Sequence, residues 1–356
     1  MRITNNMLTN NFMNNYNQSL SKVSKLQNQL DSGKAIDKPS DDPVKKVRSL
    51  NFYTGLSTND MFSQNASDAI SWMSTSDGAI NSIVDNITSI RTLVVNASST
   101  NPKSSYDAIS TQVDKAIDEL VDLGNTQIGG RYIFGGQADR TFANGATQPF
   151  TRDSATGVVT YNGTWDGQAT DNNSATSAAN PTLPNAGTIC MKVSPGAPDP
   201  IRDKINVDGQ SLFGTMDTYG DHATYVGTYP SPPLTVPAQP AQDQPQPAIF
   251  QHLNQIKADI KSGNTANLTQ ELKVLDDDLD TVISAQTTMG SRMAVYQNIQ
   301  GRLTSDNVTI KSDLSTNEDL DQAKASIDIT EAMNVYNSAL AVGARVLPNS
   351  LVDYLK

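Results

Sequence analysis

The chain has 356 residues, of which 37% are hydrophobic, 6% aromatic and 18% charged, and its formal net charge is −11. A chain this acidic repels nucleic acid and anionic lipid, which makes both poor partners. A single cysteine, Cys190, excludes an intrachain disulfide, and no apolar run approaches the ~20 residues of a membrane-spanning helix.

The first flank of the chain carries apolar residues at the spacing of packed helices. They step by three and four residues, which is typical of the buried side of a helix in a bundle. One such stripe runs from Phe12 to Leu30. The second stripe, which we predict to pack in the core, consists of Ile80, Ile83, Ile87, Ile90 and Val94.

A proline-bounded segment, 39–43, separates the two stripes and predicts the start of a helix. Pro43 suits the first helical position, because its missing N–H would have no partner there. The Asp42 carboxylate can accept from the free N–H groups of the first turn. The alternative, that Asp41 and Asp42 bind a metal, lacks a third ligand or a histidine nearby in the sequence. We therefore predict Asp42 and Pro43 as a helix cap and expect no metal site.

The middle of the chain, 141–248, cannot hold long helices. Of the 17 prolines, 13 lie between Pro149 and Pro247, and a proline inside a helix costs ~3 kcal/mol. Short runs of β-branched and aromatic residues end in Asn162-Gly163 and Asp208-Gly209, which favour tight hairpin turns. We therefore predict a β-rich domain with a proline-rich linker over 231–247.

The second flank of the chain also carries an apolar stripe at helical spacing. The stripe consists of Leu268, Leu272, Leu275 and Leu279, and its spacing continues as far as Leu303. The pattern predicts one long helix that passes through Gly290 and Gly301, each of which costs ~1 kcal/mol relative to alanine. Further on, Ser315 and Glu318 have the spacing of a capping box and are predicted to start the last helix.

Two striped flanks, far apart in the sequence, indicate a mainly α fold with a β-rich insertion. We predict an antiparallel helical bundle or coiled coil formed by both chain ends, plus a small all-β outer domain. An ordinary helical core would give the same spacing, which alone does not separate the two. The predicted divisions are terminal coiled-coil segments 1–40 and 315–356, a bundle core 41–140 and 249–314, and the outer domain 141–248.

The residues that catalysis or cofactor binding needs are missing from the sequence. His222 and His252 show no ligand spacing with each other or with Cys190, and there is no phosphate-binding glycine loop or nucleophile elbow. We predict no enzyme activity, no cofactor and no catalytic, cofactor-binding or metal-binding residue. A ligand-binding module in the middle is an alternative that no convergent polar residues support.

Several segments together resemble the flagellin superfamily. In the first flank they are Met1-Arg2-Ile3-Thr4, Gln29-Leu30-Asp31-Ser32-Gly33-Lys34, Pro39-Ser40-Asp41-Asp42-Pro43 and Asn125 to Gly136. In the second flank they are Met289-Gly290-Ser291-Arg292, Glu318-Asp319-Leu320-Asp321, Ala344-Arg345-Val346 and Ser350 to Leu355. The proline-bounded 39–43 form and the Arg131-Tyr132-Ile133-Phe134 segment are closer to the hook-associated protein 3 family than to filament flagellin.

The resemblance implies a structural role in the bacterial flagellum. It implies a homo-oligomeric ring at the hook–filament junction, between the first hook-associated protein and flagellin. It also implies secretion by the flagellar type III apparatus, with an export chaperone near the C-terminal helix. The first 18 residues contain no apolar h-region, so we expect no cleavable signal peptide. Filament flagellin and another secreted coiled-coil adhesin or tip protein are the alternatives.

Overall fold

The structure, a computed structural model, describes residues 5–99, 103–138, 146–164, 168–169, 182–183, 187–196, 203–214 and 247–346. Its helices are α1 (Asn5–Ser32), α2 (Pro43–Ser98), α3 (Lys103–Gly124), α4 (Gly209–Phe213), α5 (Ala248–Ser262), α6 (Thr265–Glu318) and α7 (Gln322–Val346). Its strands are β1 (Gln127–Ile128), β2 (Arg131–Tyr132), β3 (Phe150–Arg152), β4 (Val159–Tyr161), β5 (Gln168–Ala169) and β6 (Thr182–Leu183).

The element order confirms the predicted fold class. Long helices occupy both flanks, and in the described residues the strands form three two-stranded antiparallel sheets, β1–β2, β3–β4 and β5–β6. The chain separates into a terminal unit, Met1–Met61 with Leu303–Lys356, and a central unit, Phe62–Arg302. The three-part division drawn from the sequence remains a proposal.

In the terminal unit, the first and last helices pack together in antiparallel directions. The Tyr16 and Tyr336 hydroxyls lie 2.8 Å apart, and their rings are 5.3 Å apart between centroids. Further along the same pair, Phe12 lies so close to Gly343 that a Cβ there would be 2.3 Å from the Phe12 ring. Both chain ends therefore share one helical body, as the paired stripes predict.

The two turns of the terminal unit also pair with each other. The Ala35 N–H donates to the Glu318 carbonyl at 2.8 Å, and the Leu320 N–H donates to the Gly33 carbonyl at 3.0 Å. These bonds form around an isolated β-bridge between Lys34 and Asp319. They join the α1–α2 turn to the α6–α7 turn, which satisfies backbone groups that the helix ends would leave open.

The predicted start of the last helix at Ser315 and Glu318 is wrong. Helix α6 continues to Glu318, and α7 starts at Gln322. Asp321 caps α7, because its carboxylate accepts from the Lys324 N–H at 3.1 Å. The capping-box spacing occurs by chance in the last turn of α6, where the Ser315 hydroxyl instead donates to the Asp319 carboxylate.

In the central unit, the core forms between α2, α3, α5 and α6. Each helix presents one row of fully buried aliphatic side chains, among them Ile87, Ile117, Ile256 and Leu275. Helix α6 is continuous through Gly290 and Gly301, as the stripe predicts. Burial of such rows is the main favourable term in folding, at about 25 cal/mol per Å² of apolar surface.

Short hairpins and one aromatic cluster complete the central unit. Gly129 and Gly130, with φ of 59° and 82°, form the two-residue turn between β1 and β2. The centroid of the Phe150 ring lies 5.0 Å from that of Tyr161 and 5.2 Å from that of Phe213. Strand β4 lies where the sequence predicts a strand, while most of the predicted linker 231–247 falls outside the described residues.

Asp208-Gly209 is not the hairpin turn that the sequence predicts. Asp208 caps α4 instead, because its carboxylate accepts from the Ser211 N–H at 2.9 Å. The Gly209 N–H donates to the Phe134 carbonyl at 2.9 Å. Asp-Gly suits a helix N-terminus as well as a turn, and the buried position of Asp208 selects the cap here.

Candidate assembly surfaces

The predicted core residues of α2 lie inside the central unit. Ile80, Ile83, Ile87, Ile90 and Val94 all have no exposed surface. On α6, Leu268 and Leu275 are fully buried, whereas Leu272 and Leu279 are half-buried. These residues act by packing and carry no polar group that could bind a ligand.

An ion pair joins α2 to α6 next to these rows. The Arg91 Nε lies 2.6 Å from the Asp276 carboxylate, and the second nitrogen lies 3.3 Å from the other oxygen. The hydrogen bonds from Arg91 lower the pKa of Asp276. Both side chains are partly exposed, so the pair orients the helices more than it stabilises them.

Asp42 and Pro43 stand at the start of α2. Pro43 is its first residue, and the Asp42 carboxylate accepts from the Lys45 N–H at 3.0 Å. The N–H of Lys46 donates to the Asp42 carbonyl at 3.0 Å. Asp42 therefore satisfies two donors of the first turn.

Glu318 forms a buried ion-pair cluster in the terminal unit. Its side chain is 1% exposed, and its carboxylate lies 3.0 Å from the Lys34 ammonium and 3.7 Å from that of Lys46. Burial would raise the pKa of Glu318, but Lys34, Tyr53 and the charge of Lys46 together lower it. The sequence suggested a capping role, whereas the contacts tie α6 to α2 and the α1–α2 turn.

The helices of the terminal unit also expose large apolar side chains. Val44, Val47 and Leu50 on α2 are 70%, 58% and 56% exposed, and Ile327 on α7 is 68% exposed. A groove of about 350 Å³ between α1 and α7 is lined by Phe12, Asn15, Tyr16, Ser19, Val335, Ser338, Ala339 and Val342. Surfaces of this kind are typical of sites that bind other proteins.

Sequence reasoning missed a charged network in the central unit. Arg152 on β3 contacts Asp114 at 2.5 Å and also pairs with Asp118, both on α3, and Lys257 on α5 lies 2.8 Å from Asp114. Burial acts to raise the pKa of both carboxyls, but the cations lower it overall. No spacing in the sequence links residues this far apart, so only the fold reveals the network.

Two chemical features can be checked over the described part of the chain. It contains no group of three or more His, Cys, Asp or Glu side chains that could hold a metal ion. Within the same residues, no helix combines the length and apolarity needed to cross a membrane.

The comparison with known sequences relates the N-terminal region to one class of protein. Residues 3–139 match the family described as the bacterial flagellin N-terminal helical region. The flagellin of Clostridium tyrobutyricum is 32% identical over 127 residues, which are 35% of this chain and 34% of that protein. The chain thus spans about a third of the length of the curated relatives it matches. The N-terminal region of the chain is therefore similar to that of the flagellins.

Solved structures extend the likeness to most of the chain. Flagellar hook-associated protein 3 from Legionella pneumophila covers 75% of this chain and 98% of its own, with a TM-score of 0.53 and 13% identity. FlgL from Bacillus cereus covers 74% of this chain and 99% of its own, with a TM-score of 0.50 and 18% identity. The flagellar junction protein FlgL from Legionella pneumophila covers 77% of this chain and 100% of its own, with a TM-score of 0.50 and 14% identity. At these identities the likeness defines the fold, which is that of FlgL.

Proposed function

We propose that the chain is a structural subunit of the bacterial flagellum that forms the junction between hook and filament. Two independent findings support this proposal. The N-terminal region matches the flagellins, and the fold resembles structures described as hook-associated protein 3 and as a junction protein. The observation that carries it is the antiparallel α1–α7 pair, in which the two chain ends meet.

The exposed apolar residues of the terminal unit give this proposal a physical basis. Two paired helices cannot bury all sides of both, so each leaves apolar side chains in solvent, such as Met13 on α1 and Ile327 on α7. Neighbouring copies in a ring would cover them, as helices do in a coiled coil. We therefore assign 1–40 and 315–356 to the inner tube, 41–140 and 249–314 to the next shell, and 141–248 to the outside.

The partners in this proposal follow from the flagellar resemblance. The subunits would form a homo-oligomeric ring that contacts the first hook-associated protein on one side and flagellin on the other. Export would use the flagellar type III apparatus, with a chaperone that binds near α7. The role is structural, and no step requires a cofactor, nucleic acid or membrane.

Filament flagellin is the second candidate, because the curated relatives are flagellins. The two roles differ in one measurable property. Flagellin subunits polymerise into long filaments, whereas a junction subunit ends its assembly as a short ring. Long filaments grown from the purified protein alone would favour flagellin.

The direct experiment deletes the gene in the source bacterium. We expect intact hooks, no filaments, and flagellin monomers in the medium, with filaments restored by the wild-type gene. Ile327→Asp should fail to restore them, because it places a charge on the exposed apolar surface of α7. Ser326→Asp, the same added charge at the next exposed position, should restore them. Normal filaments in the deletion strain would reject the junction role.

A further inference from the structure

Helices α5 and α6 form an antiparallel hairpin in the central unit. Gly263 ends α5 in the left-handed conformation, with φ of 73°, and α6 starts at Thr265. The His252 Nδ1 on α5 lies 2.8 Å from the Asp278 carboxylate on α6. One heptad nearer the turn on both helices stand Asp259 and Glu271. Two pairs of side chains therefore face each other across the hairpin, and the pair nearer the turn consists of two acids.

The acid pair is buried, and no basic side chain of the described residues forms an ion pair with it. Asp259 is 8% exposed and Glu271 is 5% exposed. Asp259 accepts from the Gln255 amide at 3.2 Å and from the Asn267 amide at 3.4 Å. The Glu271 Oε2 atom is buried without a hydrogen-bond partner.

The charged and titratable groups of the neighbouring helices are engaged elsewhere. The ion pairs around the hairpin are Lys257 with Asp114 of α3, Arg91 of α2 with Asp276, and His252 with Asp278. Lys261 and Lys273 are exposed to solvent, and the Tyr106 ring of α3 lies against Gly263. No lysine, arginine or histidine of the described chain forms an ion pair with Asp259 or Glu271, so nothing neutralises two negative charges there.

We propose that Glu271 keeps a proton that it donates to the Asp259 carboxylate, and that this pair acts as a pH-sensitive latch that holds the α5–α6 hairpin closed. Two adjacent buried carboxyl groups cannot both ionise without a counter-ion, so Glu271 keeps its proton near neutral pH. The proton forms a hydrogen bond between the carboxyls and joins the end of α5 to the start of α6. Loss of the proton leaves two carboxylates facing each other, and the hairpin loosens.

The direction of the pH effect follows from proton linkage. Burial first, and then the hydrogen bond and charge of Asp259, raise the pKa of Glu271 from 4.5 to about 9. The folded chain therefore holds a proton that the unfolded chain releases above pH 4.5. The stability that Glu271 contributes is greatest below that value and falls as the pH rises towards 9. Over this range the unfolding equilibrium constant should rise up to about tenfold per pH unit.

The glutamate content of the chain makes a direct test simple. There are four glutamates, Glu119, Glu271, Glu318 and Glu331. In protein labelled with ¹³C at the glutamate carboxyl, we expect one of four signals to titrate several pH units above the others. Glu271→Gln should remove that signal. A Glu271 signal that titrates below pH 6 in the folded wild type would overturn the proposal.

A stability series gives the second readout. Wild type should unfold at lower urea concentration as the pH rises from 6 to 9, whereas Glu271→Gln should remove most of that slope. The matched control is Glu119→Gln, at an exposed position of α3, and this variant should keep the wild-type slope. Asp259→Asn should shift the Glu271 titration to lower pH, because the facing charge is lost. If millimolar Ca²⁺ at pH 9 stabilises wild type but not Glu271→Gln, the pair binds a cation and the proton latch is wrong.

Discussion

Ile87→Asp tests the core of the central unit most severely. Ile87 has no exposed surface, so the change first removes about 1.5–3 kcal/mol of aliphatic burial. The new carboxyl has no basic partner and must take a proton to stay buried. Protonation at pH 7 costs about 4 kcal/mol, because pH 7 lies ~3 units above the ordinary aspartate pKa and each unit adds ~1.36 kcal/mol. The sum, about 6 kcal/mol, approaches the whole stability of a typical domain, about 5–15 kcal/mol.

Val95→Asp on the same helix is the matched control. Val95 is 43% exposed, so its carboxylate remains hydrated and the change should cost under about 1 kcal/mol. Urea unfolding followed by tryptophan fluorescence reports on the central unit, because Trp72 is only 9% exposed there. We expect Ile87→Asp to be largely unfolded at pH 7 and Val95→Asp to resemble the wild type.

The pH dependence of the same variant checks the reasoning. Near pH 4 the aspartate takes its proton at little cost, so the deficit of Ile87→Asp relative to wild type should shrink by several kcal/mol. The deficit of Val95→Asp should hardly change. Equal deficits in the two variants, or a deficit in Ile87→Asp that does not change with pH, would refute the assignment of Ile87 to a closed apolar core.

Two further substitutions probe buried hydrogen bonds, with urea unfolding as the measurement. Tyr161→Phe should cost about 1–2 kcal/mol, because the buried hydroxyl donates to the Phe134 carbonyl at 2.7 Å; wild-type stability would mean that this bond contributes nothing. Asn317→Ala should destabilise by about 1–3 kcal/mol, because the buried amide donates to the Ser49 hydroxyl at 2.8 Å. Thr316→Ala, at an exposed neighbouring position, is its control and should change stability by less than half as much.

The long helices could be predicted because their signal is repeated many times. Each step of the α2 row from Ile80 to Val94 adds to the same pattern, so a single unfavourable residue cannot erase it. Gly290 and Gly301 did not interrupt α6, because residues of its stripe beside them, such as Met289 and Tyr296, are buried by packing. The cost of the two glycines is small against the packing of a 54-residue helix.

The helix ends could not be placed as well, because they depend on few residues. Ser315 and Glu318 have the right spacing for a start, but tertiary contacts decide otherwise. Glu318 pairs with Lys34 and its carbonyl accepts from the Ala35 N–H, and both partners are about 280 positions away in the sequence. A local motif of two residues carries about 1 kcal/mol and is overridden by such contacts.

The burial of the two acids could not be predicted from the sequence for a related reason. The apolar stripe through Leu268 and Leu275 predicts a leucine, Leu272, between them on the core side. The structure instead buries Glu271 more fully than Leu272. Both positions fit the three-and-four spacing, so hydrophobicity favoured the leucine. Burial first, and then the nearby Asp259, raise the pKa of Glu271, so the glutamate can stay there in its protonated form.

The first helix, α1, depends on its packing partner for stability, and this dependence bears on assembly. Seven of its first residues up to Asn17 are asparagines, and asparagine is a mediocre helix former. Helix α1 therefore gains little from its own sequence and depends on contacts with α7, such as the ring pair Tyr16–Tyr336. In proteins, most of the stability of such a helix comes from packing against its partner. In the ring proposed above, that dependence would couple the order of α1 and α7 to the arrival of the neighbouring copies.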